Sequence, residues 1–377
     1  MIWAIFVGLL TGFLLAFGGY LKSKKMTQDL ENSEGQDCVQ SLAVVIAAKN
    51  EEKVIEKTIR SVVDNSLNNI RLIVVNDRST DKTQIILDRL HKEYKNLIIL
   101  SNKGKPGKSD ALNTALEVIT EDIVLFLDAD ARVNASYLIN NCRFFNNLDV
   151  DVVFTNFESY NTKKNLAYFL QELYFSFSKA LLYSGWITKG MFMNSGVFIR
   201  RSVLEKAGKF DPNTLVDDFD LVTKLWKMNK KIKFTLNEKC KIQYSNSIGS
   251  LFHQHSRWYM GGTKKSIDIL KKGNILGLAV LVLIGGLVLF PIILLVMSLF
   301  VGMDLVILIL ALFFSGMYSV SVFSYLFLAN KRRKDLFISL FIAPPILYVF
   351  FQITVLFSFF NSFKKNIGWY KVPRNNE

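Results

Sequence analysis

The chain has 377 residues, half of them apolar, with a mean hydropathy of +0.25 and 21% charged residues. An ordinary soluble domain carries about 25% charged residues and a disordered chain would lack the 13% aromatic content seen here, so both classes are excluded. The formal charge of +14 suits a surface facing anionic headgroups or anionic substrates, and no basic helix or aromatic RNA-binding strand accompanies it to make nucleic acid a partner.

In chain order, residues 2–20 are uncharged and followed by Lys22, Lys24 and Lys25. Nineteen apolar residues nearly match a hydrocarbon core about 30 Å thick, and charge after the apolar run predicts an uncleaved anchor whose continuation is cytoplasmic. From about 27 to 272 short apolar runs alternate with amphipathic stretches. LAVVIAAKN (42–50), RLIVVND (71–77), NLIIL (96–100) and EDIVLFLDAD (121–130) read as strands covered on both faces, separated by helical segments at 51–66, 81–95 and 108–119. That alternation predicts an α/β domain with a mostly parallel sheet. The stretches 165–183 and 248–270 read as interfacial helices, a packed core helix being the competing reading of 165–183. Hydrophobicity returns at 275–301, 304–330 and 336–362, giving two to three further spans before a basic tail. Pro344–Pro345 leaves open whether the last stretch crosses or dips and returns. The resulting division is an anchor over 1–21, a cytoplasmic domain over 22–272, a membrane region over 273–363 and a tail over 364–377. Cys38, Cys142 and Cys240 are odd in number and lack metal-ligand spacing, so free buried thiols in a reducing compartment are expected.

Ligands of open α/β sheets sit beyond the carboxyl ends of the strands. Three of the four strands deliver acids there: Glu51 and Glu52, then Asp77, then Asp128 and Asp130. Two carboxylates at i and i+2 after a buried strand suit a hard cation such as Mg2+ or Mn2+, which keeps water and phosphate oxygens as its other ligands. Lys103–Asn113 (KGKPGKSDALN) is a basic loop leading into a helix, a setting for phosphate at Lys108, although it lacks P-loop spacing. Asp217, Asp218 and Asp220 crowd three carboxylates into four positions, where mutual repulsion favours a general base. Gln254, Arg257 and Trp258 share one helical face, so that a guanidinium can hold an anion while the indole stacks on a sugar. His253 and His255 flank them and read as surface residues.

In this order the segments resemble the membrane-embedded processive family-2 glycosyltransferases, the cellulose, hyaluronan and poly-N-acetylglucosamine synthases. VVIAAKNEE, VVNDRSTDKT, KPGKSDALNTAL, FLDADARV, MNSGVFIRRSVLEKAGKFD, LVDDFDL and QHSRWYMGG carry the likeness across about 40–275. Ala47 stands where the family often has proline, Asn76 where it often has aspartate, and Val216-Asp217 where it has Thr-Glu. The resemblance implies a GT-A-like, Rossmann-like fold and an inverting transfer from a UDP-sugar. UDP-N-acetylglucosamine is the expected donor and a growing β-linked polysaccharide the acceptor. Transfer of one sugar to diacylglycerol or polyprenyl phosphate is the alternative. It further implies that Ala47, Lys49, Glu51 and Asp77 hold the nucleotide, that Lys108 and Asp128 face the diphosphate, and that Asp128 and Asp130 hold Mg2+ or Mn2+. Asp218 becomes the base, and Gln254, Arg257 and Trp258 bind acceptor or diphosphate. The implied partners are the donor, a polysaccharide or lipid acceptor and the bilayer, with room for an accessory membrane subunit. A nucleotide sensor with a dead transferase domain is disfavoured because every carboxylate needed is present, and a transporter because internal repeats are absent.

Overall fold

The computed structural model describes residues 1–32, 40–64, 70–192, 195–271, 302–329 and 335–362, with single positions or short pieces at 273, 278, 293–294, 296–300 and 373. Two compact units emerge: Lys22–Thr162 with Leu182–Tyr244, and Met1–Leu21 with Lys163–Leu181 and the chain from Ser245 onward.

The first unit is built on a seven-stranded sheet. Its strands are β1 (Leu42–Ala48), β2 (Ile70–Asn76), β3 (Leu97–Ser101), β4 (Ile123–Asp128), β5 (Val152–Ser159), β6 (Val197–Arg200) and β7 (Ile232–Ile242), in the order β3-β2-β1-β4-β6-β5-β7. The first four are parallel neighbours, β5 and β7 are parallel, and only β6 runs antiparallel to its neighbours β4 and β5. The expected mostly parallel α/β sheet is therefore present. Its centre is dry because the runs Ala43–Ile46 and Leu72–Val75 are completely buried. β-branched side chains stack well on such a pleated surface.

Each parallel strand is followed by a helix, as short crossovers require: α2 (Ile55–Val63), α3 (Thr83–Glu93), α4 (Lys108–Leu116) and α5 (Ala135–Arg143), the last capped by the Asn134 side chain on the Tyr137 N–H. Asn50 and Arg78 follow β1 and β2 with positive φ (54° and 56°). Arginine in the left-handed region is costly unless held. Here its guanidinium is held by the Asp77 carboxylate at 3.2 Å and the Gly104 carbonyl at 2.6 Å. α7 (Arg201–Ala207) and α8 (Asp217–Lys227) complete this unit.

α1 (Ile2–Glu31) is longer than the apolar run that announced it. Its polar end finds partners in the sheet unit, where Thr27 Oγ1 accepts the Leu236 N–H at 2.9 Å and Leu30 is fully buried. Against the expectation of free thiols, Cys142 is disulfide-bonded, while Cys240 is free and buried. Sequence separation says nothing about proximity in the fold. Cys38 lies outside the described residues.

The second unit is helical: the first part of α1, α6 (Leu166–Ser178), α9 (Ile248–Lys271), and helices over Met303–Leu328 and Ala343–Ser362. Among the described residues three helical stretches, Ile2–Glu31, Met303–Leu328 and Ile338–Ser362, are long and apolar enough to cross a membrane. Pro344 and Pro345 follow directly on a π-helical turn at Ile338–Ile342, and the Leu340 carbonyl, which Pro344 has no N–H to serve, accepts the Tyr318 hydroxyl at 2.7 Å. Most of the expected 275–301 span, the basic run 331–334 and the basic tail lie outside the described residues.

Gly8 and Gly12 let α1 approach the Met303–Leu328 helix closely. A Cβ at Gly8 would stand 2.0 Å from Ser315 Oγ, and one at Gly12 would stand 2.4 Å from the Gly316 carbonyl. Small residues four apart are the usual means of such contact where lipid removes the hydrophobic drive between helices.

α6 is buried around nearly its whole circumference. On α9, His255 is not at the surface as expected but fully buried, with its ring 4.5 Å from that of Tyr174, 4.8 Å from that of Trp258 and 5.6 Å from that of Phe350. The 3.6-residue period turns it toward the same packed face as Leu251. Burial lowers its pKa to about 3, and neither ring nitrogen has a hydrogen-bond partner.

An unfolded histidine takes up a proton below about pH 6.5 and the folded one does not. This contribution is therefore present above pH 6.5 and is lost as pH falls toward 3. Between pH 7 and pH 5 the loss is about 2 kcal/mol. The melting temperature in detergent should fall over that interval, and His255→Phe should fall clearly less. Equal falls would assign the acid sensitivity elsewhere.

Candidate active site

The carboxyl edge of the parallel strands carries the acids. Ala47 at the end of β1 pairs in register with Val75 of β2 and Asp128 of β4, so the tips of the three strands meet. Glu51 is buried, and its backbone N–H donates to Thr83 Oγ1 at 2.8 Å, fixing the loop after β1. Asp77, only 3% exposed, is held by several donors. Asn102 Nδ2 donates to one oxygen at 2.7 Å, and the Gly107 N–H donates to the other at 2.8 Å, with Lys49 Nζ at 3.4 Å. Asp77 thus ties the end of β2 to the basic loop that opens α4. Its role in shaping that loop was not legible from the motif, because Asn102 and Gly107 act through groups that no pattern marks.

Lys108, the first residue of α4, is the centre of the second cluster. Its Nζ lies 2.9 Å from Asp128 Oδ1 and 3.1 Å from Asp217 Oδ2. Burial alone would depress its pKa. The carboxylates of Asp128, Asp217 and Asp218 outweigh that and hold it well above the ordinary lysine range, so the ammonium stays charged. These four residues line one cavity with Ser195, Phe126, Phe192 and Phe210. The hydroxyl of Ser195 accepts the Asp128 N–H at 2.9 Å where β4 ends. Behind it, burial together with the charges of Asp128 and Asp130 pushes the Cys240 thiol up, which keeps it protonated and inert.

The three crowded acids do different things. Asp217 is paired with Lys108. Asp220 is 1% exposed and tied to Lys224 Nζ at 2.8 Å, and it also accepts the Asp211 N–H at 3.2 Å. Asp218 is half-buried and lines the cavity.

Asp130 is 6% exposed and follows β4 two residues after Asp128. Among the described residues no three His, Cys, Asp or Glu side chains gather to hold an ion. As two acids at i and i+2 at the end of β4, Asp128 and Asp130 could hold a hard divalent cation that takes its remaining ligands from phosphate and water, the usual habit of Mg2+.

Gln254, Arg257 and Trp258 lie on α9 in the helical unit. There Gln254 Oε1 accepts from Gln171 Nε2 at 3.1 Å and from Ser245 Oγ at 3.0 Å. The Trp258 indole stacks at 24° to the Tyr174 ring with centroids 6.1 Å apart. Burial raises the Tyr174 phenol to about 12.

The family profile described as Glycosyl transferase family 2 matches residues 43–208. The chain is 30% identical over 245 residues to the beta-monoglucosyldiacylglycerol synthase of Trichormus variabilis, covering 62% of this chain and 52% of that one. It is 26% identical over 250 residues to the poly-beta-1,6-N-acetyl-D-glucosamine synthase of Staphylococcus epidermidis, covering 64% and 60%. The chain thus spans about half the length of the first of these relatives. Its fold is shared with a mannosyltransferase of Pyrobaculum calidifontis solved with GDP-mannose and Mn2+ (TM-score 0.56, 16% identity, covering 95% of this chain and 98% of that one). Residues 43–208 contain β1 to β4, the basic loop, Asp128, Asp130 and Ser195, and it is over that span that the chain matches the glycosyl transferase family 2 profile.

Proposed function

We propose that this protein is an inverting membrane glycosyltransferase that moves a sugar from a UDP-sugar, UDP-N-acetylglucosamine in the first instance, to the end of a growing β-linked polysaccharide. The observation that carries this reading is the cavity in which Lys108 stands between Asp128 and Asp217 with Asp218 on the same wall. Ala47, Lys49, Glu51 and Asp77 hold the nucleotide at the tips of β1 and β2. Lys108 and Asp128 face the diphosphate, and the lysine neutralises charge that grows on the departing UDP. That interaction is stronger in the transition state than in the ground state and so raises the rate. Asp128 and Asp130 would hold a divalent ion, which when bound would supply Lewis-acid stabilisation of the same charge. Asp218 takes the proton from the acceptor hydroxyl as it attacks the anomeric carbon. One displacement converts an α-linked donor to a β-linked product. Gln254, Arg257 and Trp258 bind diphosphate and the terminal acceptor sugar.

Multi-pass insertion with the sheet unit in the cytoplasm is supported by the three apolar helices and by Lys22, Lys24 and Lys25 after the first apolar run. An accessory membrane subunit would complete any translocation path.

One observation favours a second reading, transfer of a single sugar to diacylglycerol or polyprenyl phosphate: the relatives at 30% identity are named as glucosyldiacylglycerol synthases. Membranes carrying the protein, incubated with Mg2+ and radiolabelled UDP-N-acetylglucosamine or UDP-glucose, should yield product retained on size exclusion as a ladder of chain lengths. Label that partitions quantitatively into organic solvent with one sugar per lipid would replace the polymer reading by the lipid one. Release of UDP from neither donor would reject both.

A further inference from the structure

Gln171 sits on α6 and is 1% exposed, among residues that are mostly apolar or aromatic. A buried amide must place all of its polar groups, and this one does so with a fixed polarity. Its oxygen accepts the backbone N–H of Ser245 at 2.7 Å, and its Nε2 donates to Gln254 Oε1 at 3.1 Å. A backbone N–H can only donate, so the arm of Gln171 facing Ser245 is the carbonyl and the other arm is the amino group. The arm of Gln254 facing Gln171 must then be its carbonyl, and the Ser245 hydroxyl donates to that same oxygen at 3.0 Å. The chain of bonds ends at the Gln254 amino group, which meets no acceptor among the described residues while Gln254 itself is only half-buried. Its two N–H groups are thus presented outward.

We propose that Gln171 is a positioning residue that locks the Gln254 amide with its amino group outward, so that α9 offers donors to an oxygen ligand, either a diphosphate oxygen of the donor or a sugar oxygen of the acceptor. This rests on the transferase reading above. An amide free to turn would present its carbonyl to the same oxygen in part of the population, and ordering it on binding would cost affinity. The Ser245 N–H, whose direction the backbone fixes, removes that freedom at a distance. Sequence alone gives no hint of it, because a glutamine within an apolar helix matches no motif.

The test is a double-mutant cycle on the full-length protein in detergent or nanodiscs, with UDP release and transfer from UDP-sugar as the readout. Gln171→Met keeps the length of the side chain and removes both bonds, and should lower turnover about 10-fold, the worth of one well-placed hydrogen bond. On a Gln254→Ala background the same change should cost less than about 2-fold, because its effect runs through Gln254. Losses that multiply, or a melting temperature that falls in step with activity, would show a merely structural role. Gln254→Glu, which leaves Gln171 and Ser245 in place and removes the outward N–H groups, covers the case in which Gln171→Met does not fold. It should lose 10-fold or more with unchanged thermal stability, and full activity in it would overturn the proposal.

Calorimetry with UDP and Mg2+ separates the two oxygen sources. A parallel fall in UDP affinity places the ligand oxygen on the diphosphate, and unchanged UDP affinity with a raised acceptor KM places it on the acceptor. A wild-type protein that releases no UDP overturns the transferase reading and this proposal with it, whereas an active wild type matched by its variants overturns this proposal alone.

Discussion

Asp130→Ala is expected to lower turnover by about 10³-fold and to abolish the binding of Mn2+ in the presence of UDP. Asp130 is nearly buried at the end of β4, and no third acid, histidine or cysteine joins it and Asp128 among the described residues. Removing it leaves a single carboxylate, Asp128, which already faces Lys108 at 2.9 Å. Stabilising charge on a leaving diphosphate is worth several kcal/mol, and each 1.36 kcal/mol is tenfold in rate, which gives the stated magnitude. The binding arm is measured by electron paramagnetic resonance of free Mn2+ titrated with protein and UDP, and it does not depend on turnover. Disappearance of the free-ion signal in the variant at wild-type protein concentration would remove Asp130 from the metal site. Activity of the wild type in excess EDTA would remove the metal from the reaction. Lys108→Ala should behave differently. It deletes a cation that stays charged throughout the working range, so turnover should fall while Mn2+ binding persists.

How much of this was legible in the sequence follows from what each element needed. β1 to β4 are short, continuous and apolar, with β1, β2 and β4 mostly buried and β3 half-buried at the sheet edge, so composition and length alone marked them to within about two residues. β7 was missed because its sequence, IKFTLNEKCKI, mixes apolar and charged residues along a strand at the sheet edge. β6 is four residues long and gains its place by pairing with β4 and β5, which no local pattern announces. The site divides in the same way. Asp77, Lys108, Asp128 and Asp218 belong to runs whose chemistry shows in their residue types. Asn102, Gly107, Ser195 and Gln171 make their contacts through amide, hydroxyl or backbone groups that no motif marks, and only the folded geometry brings those atoms to their partners. His255 was misplaced because a polar residue type outweighed the helical period that buries it among aromatic rings.

The remaining large effect concerns which of the three neighbouring acids is the base. Asp218→Asn should lower turnover by about 10²- to 10⁴-fold, the usual worth of general-base catalysis, with UDP affinity retained. Asparagine keeps the shape of the side chain and removes the proton acceptor. The geometry separates the candidates more sharply than their spacing does. Asp220 is buried against Lys224 and the Asp211 N–H, so its oxygens are committed within the fold. Asp220→Asn should therefore act on thermal stability before it acts on rate. Asp217 is held by Lys108 at 3.1 Å, so its carboxylate is engaged by the ammonium. Asp217→Asn should cost rate through the freed lysine, about 10-fold, and should weaken UDP binding as well, because the ammonium then pairs with Asp128 alone. Asp218 lines the cavity, and adjacent side chains at a helix start diverge by about 100°, so neither neighbour is expected to substitute for it. Turnover and UDP affinity of the three variants, with melting temperatures, distinguish these roles. A dead Asp217→Asn beside an active Asp218→Asn would move the base by one residue and leave Lys108 as its partner.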